Sequence, residues 1–162
     1  FAVDMAALDA AYREVQAQVH PDRFVNATDA EKRVAMQWAT RANEAYQTLK
    51  NPQKRAQYLC ELNGADLKVE SNTAMPMDFL MQQMECREAL DEARGDPDEL
   101  QRLRDAMNEE RNELVAAIGH AIDESRDYTQ AAALVRQLMF IDRFASEIGH
   151  ADEALHLRSA SA

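Results

Sequence analysis

The sequence is poor in the residues that interrupt helices. Its 162 residues include only four glycines and four prolines, while Ala, Glu, Gln, Arg and Leu recur throughout. Because Gly and Pro are the residues that helix interiors tolerate least, this composition predicts an all-α chain. A hydrophobic fraction of 46% suffices for a packed core and argues against disorder. A chain of this length has room for one ordinary domain or two small ones.

Long apolar runs and paired cysteines are also lacking. No apolar run approaches the roughly 20 residues of a membrane-spanning helix, and no signal peptide is visible, so no membrane partner is expected. Cys60 and Cys86 have neither CxxC spacing nor a nearby partner pattern. We therefore expect a reducing, intracellular compartment.

Basic charge is scarce in the second part of the chain. The formal net charge is -11 at pH 7. Residues 1–63 contain eight acidic and eight basic side chains, whereas residues 64–162 contain the other 21 acidic and ten basic ones. Phosphate binding requires a positive surface, so the charge argues against a nucleic-acid partner. An acidic second part favours a basic protein surface instead.

The first 50 residues predict two antiparallel helices. The apolar stripe of the first helix has i, i+4, i+7, i+11 spacing and consists of Leu8, Tyr12, Val15 and Val19. Pro21 disfavours helical geometry at His20 and ends this helix. Thr28 and Glu31 have the spacing of a capping box at the start of the second helix. Its predicted stripe consists of Trp38, Ala42, Ala45 and Leu49. Two such stripes joined by a short loop predict antiparallel packing.

A short third helix and a linker follow. Asn51 and Pro52 have the pattern of a helix start, and Asn63-Gly64 has that of a helix end. Residues 64–76 lack a helical stripe and contain Ser, Asn, Thr and Pro, which predicts a linker between two domains.

Residues 77–162 predict an acidic three-helix bundle. The first helix is expected from about Asp78 to Arg94, and the last begins near Tyr128. Asp96 is the predicted cap of the middle helix, with Glu99 completing a capping box. The stripe of the middle helix consists of Leu100, Leu103, Met107, Leu114, Ile118 and Ile122. That of the last consists of Ala131, Leu134, Leu138, Ile141, Phe144 and Ile148.

The turn between the first two helices contains His20-Pro21-Asp22. Chance places this tripeptide in a chain of this length roughly once in a hundred. A plain turn explains Pro21 and Asp22 but leaves His20 unexplained. In its setting between a helix and a capped helix, the tripeptide resembles the motif of a J-domain, over about residues 5–60. The resemblance implies docking on a DnaK-class chaperone ATPase, with the tripeptide engaging the interdomain linker and triggering ATP hydrolysis.

Two features depart from the J-domain pattern. The helix before the motif usually presents a basic face, whereas here Arg13 and Arg23 remain, with Lys32, Arg33 and Arg41 further on. Since exposed charges steer encounter, this thin face implies a dedicated partner ATPase. The family's short first helix would precede Phe1 and is missing from the sequence.

The predicted helix 78–94 has two distinct sides. Its predicted core side consists of Phe79, Cys86, Leu90 and Ala93. The opposite side lies within a band of about 60° and consists of Met81, Glu85, Glu88 and Glu92, flanked by Leu80 and Met84. Carboxylates three or four residues apart on a helix repel one another, which costs a few tenths of a kcal/mol per pair. A solvated face is one interpretation, while Met and Leu beside fixed charges are typical of a protein-binding surface.

Three segments resemble the HscB family, the J-domain co-chaperones of iron–sulfur cluster biogenesis. They are RAQYLCELNG (55–64), FLMQQMECREALDE (79–92) and VRQLMFIDRF (135–144). The resemblance implies that the bundle binds the cluster scaffold protein IscU. The implied contact residues are Leu80, Met81, Met84, Glu85, Glu88 and Glu92, with Phe140 from the last helix. Periodicity alone places Phe140 in the core or at its edge.

Other chemistry finds little support in the sequence. No zinc spacing is present among His20, His120, His150 and His156, so neither a metal site nor a cofactor is predicted. Carboxylate pairs lie on helix exteriors, and no catalytic residue is assigned. The favoured interpretation is a non-enzymatic adaptor that links an HscA-like ATPase to IscU in the cytoplasm, or in the mitochondrial matrix of a eukaryote. The alternatives are a general J-domain co-chaperone for unfolded clients and a metal-dependent helical enzyme.

Overall fold

The computed structural model describes residues 1–67 and 77–160, with side chains up to residue 157. Within these residues the regular structure is helical, as predicted. The chain divides into two compact units, Phe1–Leu59 and Cys60–Ala162. None of the helices in this described part combines the length and apolar character needed to cross a bilayer.

The division between the units falls inside the third helix. Most of the predicted linker, residues 68–76, lies outside the described residues, and the boundaries predicted at residues 63 and 76 stay predictions. Within the part that is described, Gly64 has a φ of 77° after the helix end, and Leu67 is buried in the second unit.

The first unit is built around two long helices, α1 (Met5–Val19) and α2 (Asp29–Lys50). The carboxylate of Asp4 accepts hydrogen bonds from the amides of Ala6 and Ala7 and so caps α1. The helix ends at His20, whose backbone is extended before the proline. A single 3-10 turn, Pro21–Phe24, then leads toward α2.

The capping box predicted for α2 is confirmed. The Glu31 amide donates to the Thr28 hydroxyl at 3.3 Å, and the Thr28 amide donates to the Glu31 carboxylate at 2.8 Å. The hydrogen bond from the Thr28 backbone, followed by that from its hydroxyl, lowers the pKa of Glu31. Asn51 caps α3 (Pro52–Leu62) in a similar way, because its side chain accepts from the Lys54 amide at 3.0 Å.

The apolar stripe predicted for α2 is only partly right. Trp38 is 61% exposed and Ala45 is exposed as well. The reason is the stack of Tyr12 on Tyr46, with ring centroids 4.1 Å apart, which fixes the side of α2 that meets α1. Trp38 lies about 80° around the helix from Tyr46 and therefore faces water. The side turned inward carries small residues next to Tyr46, with Ala35 buried and Ala39 and Ala42 half-buried.

The second unit contains α4 (Met77–Ala93), α5 (Pro97–Gly119) and α6 (Tyr128–Ala160). Asp96 caps α5 as predicted, since its carboxylate accepts from the amides of Asp98 at 2.9 Å and Glu99 at 3.2 Å. The Glu99 carboxylate accepts a hydrogen bond from Arg102 rather than completing the predicted capping box. A π-helical turn, His120–Glu124, follows α5.

The core of the second unit lies where the stripes predicted it. All of the apolar residues predicted for α5 and α6 are buried, except Leu103 and Leu134, which are half-buried. Two ion pairs at the edge of this core join α5 to α6. Arg104 donates to Asp152 at 2.9 Å, and Arg111 donates to Asp142 at 2.7 Å. These two ion pairs fix the alignment of α5 along α6.

Candidate binding sites

The His20-Pro21-Asp22 turn projects from the first unit with its side chains in water. The Asp22 amide donates to Nδ1 of His20 at 3.3 Å, and the Asp22 carboxylate lies 3.5 Å from the same nitrogen. The His20 side chain is 57% exposed and that of Asp22 is 87% exposed. Nδ1 of His20 therefore faces both the backbone amide and the carboxylate of Asp22. The turn thus presents an oriented imidazole, a fixed proline ring and a carboxylate together.

The basic residues predicted to flank the turn lie in different places. The Arg23 guanidinium donates to the carbonyl of Ala17 at 3.4 Å, which ties the turn back to the last part of α1. Arg13 is exposed on α1, further from the turn along the chain. The remaining cations of the turn region lie on α2 and are exposed, namely Lys32, Arg33 and Arg41.

Helix α4 has the two sides that its sequence predicts. The inner side is buried and consists of Phe79, Cys86, Leu90 and Ala93. The outer side, termed here the α4 face, is exposed and consists of Leu80, Met81, Met84, Glu85, Glu88 and Glu92. Met84 is the most open of its apolar residues, with 63% of its surface exposed. The α4 face therefore offers adaptable apolar side chains beside a line of carboxylates, with no burial to explain the apolar ones.

Phe140 does not lie on the α4 face. It is only 5% exposed, and its ring meets the Phe79 ring edge-on with centroids 5.6 Å apart. On its other side it stacks on Phe144 with centroids 5.8 Å apart. The contact role that the resemblance implied for Phe140 is therefore at odds with its position, because Phe79 covers it. Phe140 supports α4 from inside the core.

The sequence did not reveal a cleft next to the α4 face, between α4 and α5. It has a volume of about 470 Å³, and Glu92, Glu99 and Arg102 contribute charged groups to its lining. The amide of Gln82 also donates to Glu110 and holds the two helices together. Neither feature has a signal in the sequence, since each depends on which side of α5 turns toward α4.

The histidines and cysteines form no metal site in the described residues, where no group of three or more potential ligands occurs. Both thiols are buried. Burial raises the pKa of Cys60, with a smaller effect from Glu61, and burial likewise raises the pKa of Cys86, with smaller effects from Glu110 and Glu85. A raised pKa disfavours the thiolate, which is the form that binds metals and reacts.

Comparisons with known proteins match both parts of the chain. The family model of the DnaJ domain matches residues 2–58, and that of the HSCB C-terminal oligomerisation domain matches residues 75–149. Among curated proteins, the co-chaperone protein HscB homologs of Burkholderia thailandensis and Burkholderia multivorans are each 55% identical over 157 residues. Each match covers 96% of this chain and 89% of the relative.

Two solved structures share the fold. The chaperone HscB from Vibrio cholerae superimposes with a TM-score of 0.82 at 30% identity, covering 95% of this chain and 91% of that one. The human co-chaperone protein HscB superimposes with a TM-score of 0.86 at 27% identity, covering 91% of this chain and 74% of that one.

Proposed function

Because the chain belongs to the HscB family of J-domain co-chaperones, we propose that it stimulates the ATPase of a dedicated DnaK-class chaperone of the HscA type. The observation that carries this proposal is the exposed His20-Pro21-Asp22 turn, in which a hydrogen bond from the Asp22 amide orients the His20 ring. A ring fixed in this way loses little conformational entropy when a partner binds it. The turn acts as the trigger of ATP hydrolysis in the partner.

We further propose that the α4 face binds the iron–sulfur scaffold protein IscU. Its apolar residues Leu80, Met81 and Met84 are 41%, 54% and 63% exposed. Burying such side chains against a partner removes apolar surface from water. The carboxylates of Glu85, Glu88 and Glu92 select a basic surface and steer its approach. Phe140 lies outside this contact set.

The two sites make the chain an adaptor rather than an enzyme. The turn belongs to the first unit and the α4 face to the second, so one chain can hold the ATPase and the scaffold together. Covalent linkage of two binding sites raises the effective concentration of one partner at the other. On this proposal the chain works in the cytoplasm without a cofactor of its own and assists cluster transfer from the scaffold.

The test is His20→Gln, measured by steady-state ATP hydrolysis of the HscA-type ATPase in the presence of IscU. Glutamine keeps a polar side chain but lacks the imidazole, so stimulation is expected to fall to the level of the ATPase alone. Helicity and IscU binding are expected to stay unchanged, because the His20 side chain is 57% exposed and contacts Asp22 within the turn. The matched control is His150→Gln, the same change at an exposed position on α6. Survival of stimulation in His20→Gln would contradict the proposal.

A further inference from the structure

The cleft between α4 and α5 has an apolar floor. Its volume is about 470 Å³, and the floor consists of Ala89, Ala93 and Leu103. Ala93 is 4% exposed, and the other two are half-buried. Leu103 is a residue of the predicted α5 stripe that is not fully buried, and its place in the cleft explains why. A floor of small and aliphatic residues accommodates the methylene chain of a long side chain from outside.

The rim of the cleft carries two carboxylates and one guanidinium, all exposed. Glu99 and Arg102 are three residues apart on α5 and form an ion pair. Glu92 comes from α4, and no cation in the described part of the chain lies within 4.0 Å of its carboxylate. One carboxylate is therefore matched within the protein and the other is not. The rim has a net charge of about one negative unit at neutral pH.

The cleft is continuous with the α4 face, because Glu92 belongs to both. Around the axis of α4, Ala89 lies about 60° and Ala93 about 100° beyond Glu92. Leu80 flanks the face on its other side, about 180° around the helix from Ala89. A partner that covers the α4 face and reaches past its carboxylates therefore arrives at the cleft.

We propose that the cleft receives one long basic side chain, a lysine or an arginine, from the scaffold protein. Its methylene chain lies on the cleft floor, and its cationic group binds Glu92 and Glu99. The negative rim disfavours an acidic side chain, and a purely apolar one would take water from the carboxylates without replacing it. This inference rests on the scaffold binding proposed for the α4 face and extends that surface to α5.

The first test removes a rim charge, and its readout is the dissociation constant for IscU from calorimetric titration of the full chain. Glu99→Gln keeps the size of the side chain and is expected to weaken binding about fivefold, since one charged contact is lost. The matched control is Glu44→Gln on α2. Glu44 is also exposed and lies 3.7 Å from an arginine three residues away, Arg41, but belongs to the first unit. It is expected to change the affinity less than about 1.5-fold.

The second test determines the sign of the charge that enters the cleft. Arg102→Gln removes the cation that competes for Glu99, so a basic side chain is expected to bind about threefold more tightly. An acidic occupant would instead lose its one attractive group, and binding would weaken. Arg41→Gln, the same change in the matched pair of the first unit, is expected to leave the affinity within about 1.5-fold of wild type.

The third test fills the cleft without changing its charge. Ala89→Leu places a larger side chain on the floor and is expected to weaken IscU binding about tenfold, because the methylene chain is displaced. The control is Ala116→Leu at an exposed position of α5 that does not line the cleft. Urea unfolding checks that both variants stay folded. Glu99→Gln and Arg102→Gln change exposed side chains and decide the matter if Ala89→Leu is unstable.

The outcomes separate this inference from the function on which it rests. If alanine at Met81, Glu85 and Glu92 together abolishes binding while Glu99→Gln behaves like its control, the cleft is not contacted and the α4 face stands. If Arg102→Gln weakens binding, the occupant is not basic and the inference is wrong. If the wild-type chain does not bind IscU at all, the proposed scaffold binding and the inference fail together.

Discussion

Replacing Phe140 by alanine is expected to destabilise the second unit strongly and to affect scaffold binding only through that loss. The ring is 5% exposed and contacts Phe79 at 5.6 Å and Phe144 at 5.8 Å, centroid to centroid. Removing a buried phenylalanine costs about 3–5 kcal/mol, because apolar burial is lost and a cavity remains. Each aromatic pair adds about 0.5–1.5 kcal/mol to what burial alone supplies. We therefore expect a loss near the upper end of the range.

Far-UV circular dichroism can monitor both urea unfolding, which gives the loss in free energy, and thermal unfolding, which gives the melting temperature. Since the second unit spans Cys60–Ala162, about 100 residues, each kcal/mol lowers its melting temperature by about 4 °C or more. Phe140→Ala is thus expected to lower that temperature by at least about 12 °C. Phe140→Leu, which keeps most of the apolar volume, is expected to cost about 1 kcal/mol and to retain IscU binding.

Met84→Ala is the matched comparison for Phe140. Met84 is 63% exposed on the α4 face, so its truncation is expected to change the free energy of unfolding by less than about 0.5 kcal/mol. Its affinity for IscU is expected to fall, because an apolar contact is removed. The reasoning on Phe140 is refuted if Phe140→Leu leaves stability unchanged but weakens IscU binding as much as Met84→Ala does. Phe140 would then be a contact residue, as the family resemblance had implied.

Two further predictions concern the α4 face and the start of α2. Alanine at Met81, Glu85 and Glu92 together is expected to weaken IscU binding roughly 10- to 100-fold in a titration and to reduce its salt dependence. The control removes two carboxylates elsewhere, with Glu109→Ala and Glu113→Ala on α5, and is expected to bind IscU nearly as wild type does. Equal affinities in both variants would show that the wrong face was chosen. The lowered pKa of Glu31 means that its capping interaction stabilises the fold above the unfolded pKa, near 4.5, and that this contribution is lost as the pH falls through the folded pKa. Unfolding experiments between about pH 6 and pH 3 are therefore expected to show a steeper loss of unfolding free energy for wild type than for Glu31→Gln, which keeps a neutral capping side chain. The control, Glu14→Gln on α1, is expected to lose unfolding free energy as steeply as wild type does.

Features set by neighbouring residues could be predicted from the sequence. The caps at Thr28, Asn51 and Asp96 depend on amides two or three residues away, and the structure confirms each of them. The end of α1 depends on Pro21 alone. The buried side of α4 was also predicted correctly, because four apolar residues share one side of a short helix.

Features set by packing between helices could not be predicted in the same way. Trp38 is the largest apolar residue on α2, and hydrophobicity alone places it inside. The Tyr12–Tyr46 stack turns another side of α2 toward α1 and leaves Trp38 in water. Phe140 is a second example, since the resemblance implies a surface contact whereas Phe79 and Phe144 enclose the ring.

The exposed position of Trp38 has a spectroscopic consequence. It is the one tryptophan of the chain, so its fluorescence comes from a single known place in the first unit. It lies about 80° around α2 from Tyr46, outside the contact with α1. A water-soluble quencher such as acrylamide would therefore reach the indole in the free protein. Protection of the indole would mark a partner that covers this side of α2, without any label on the protein.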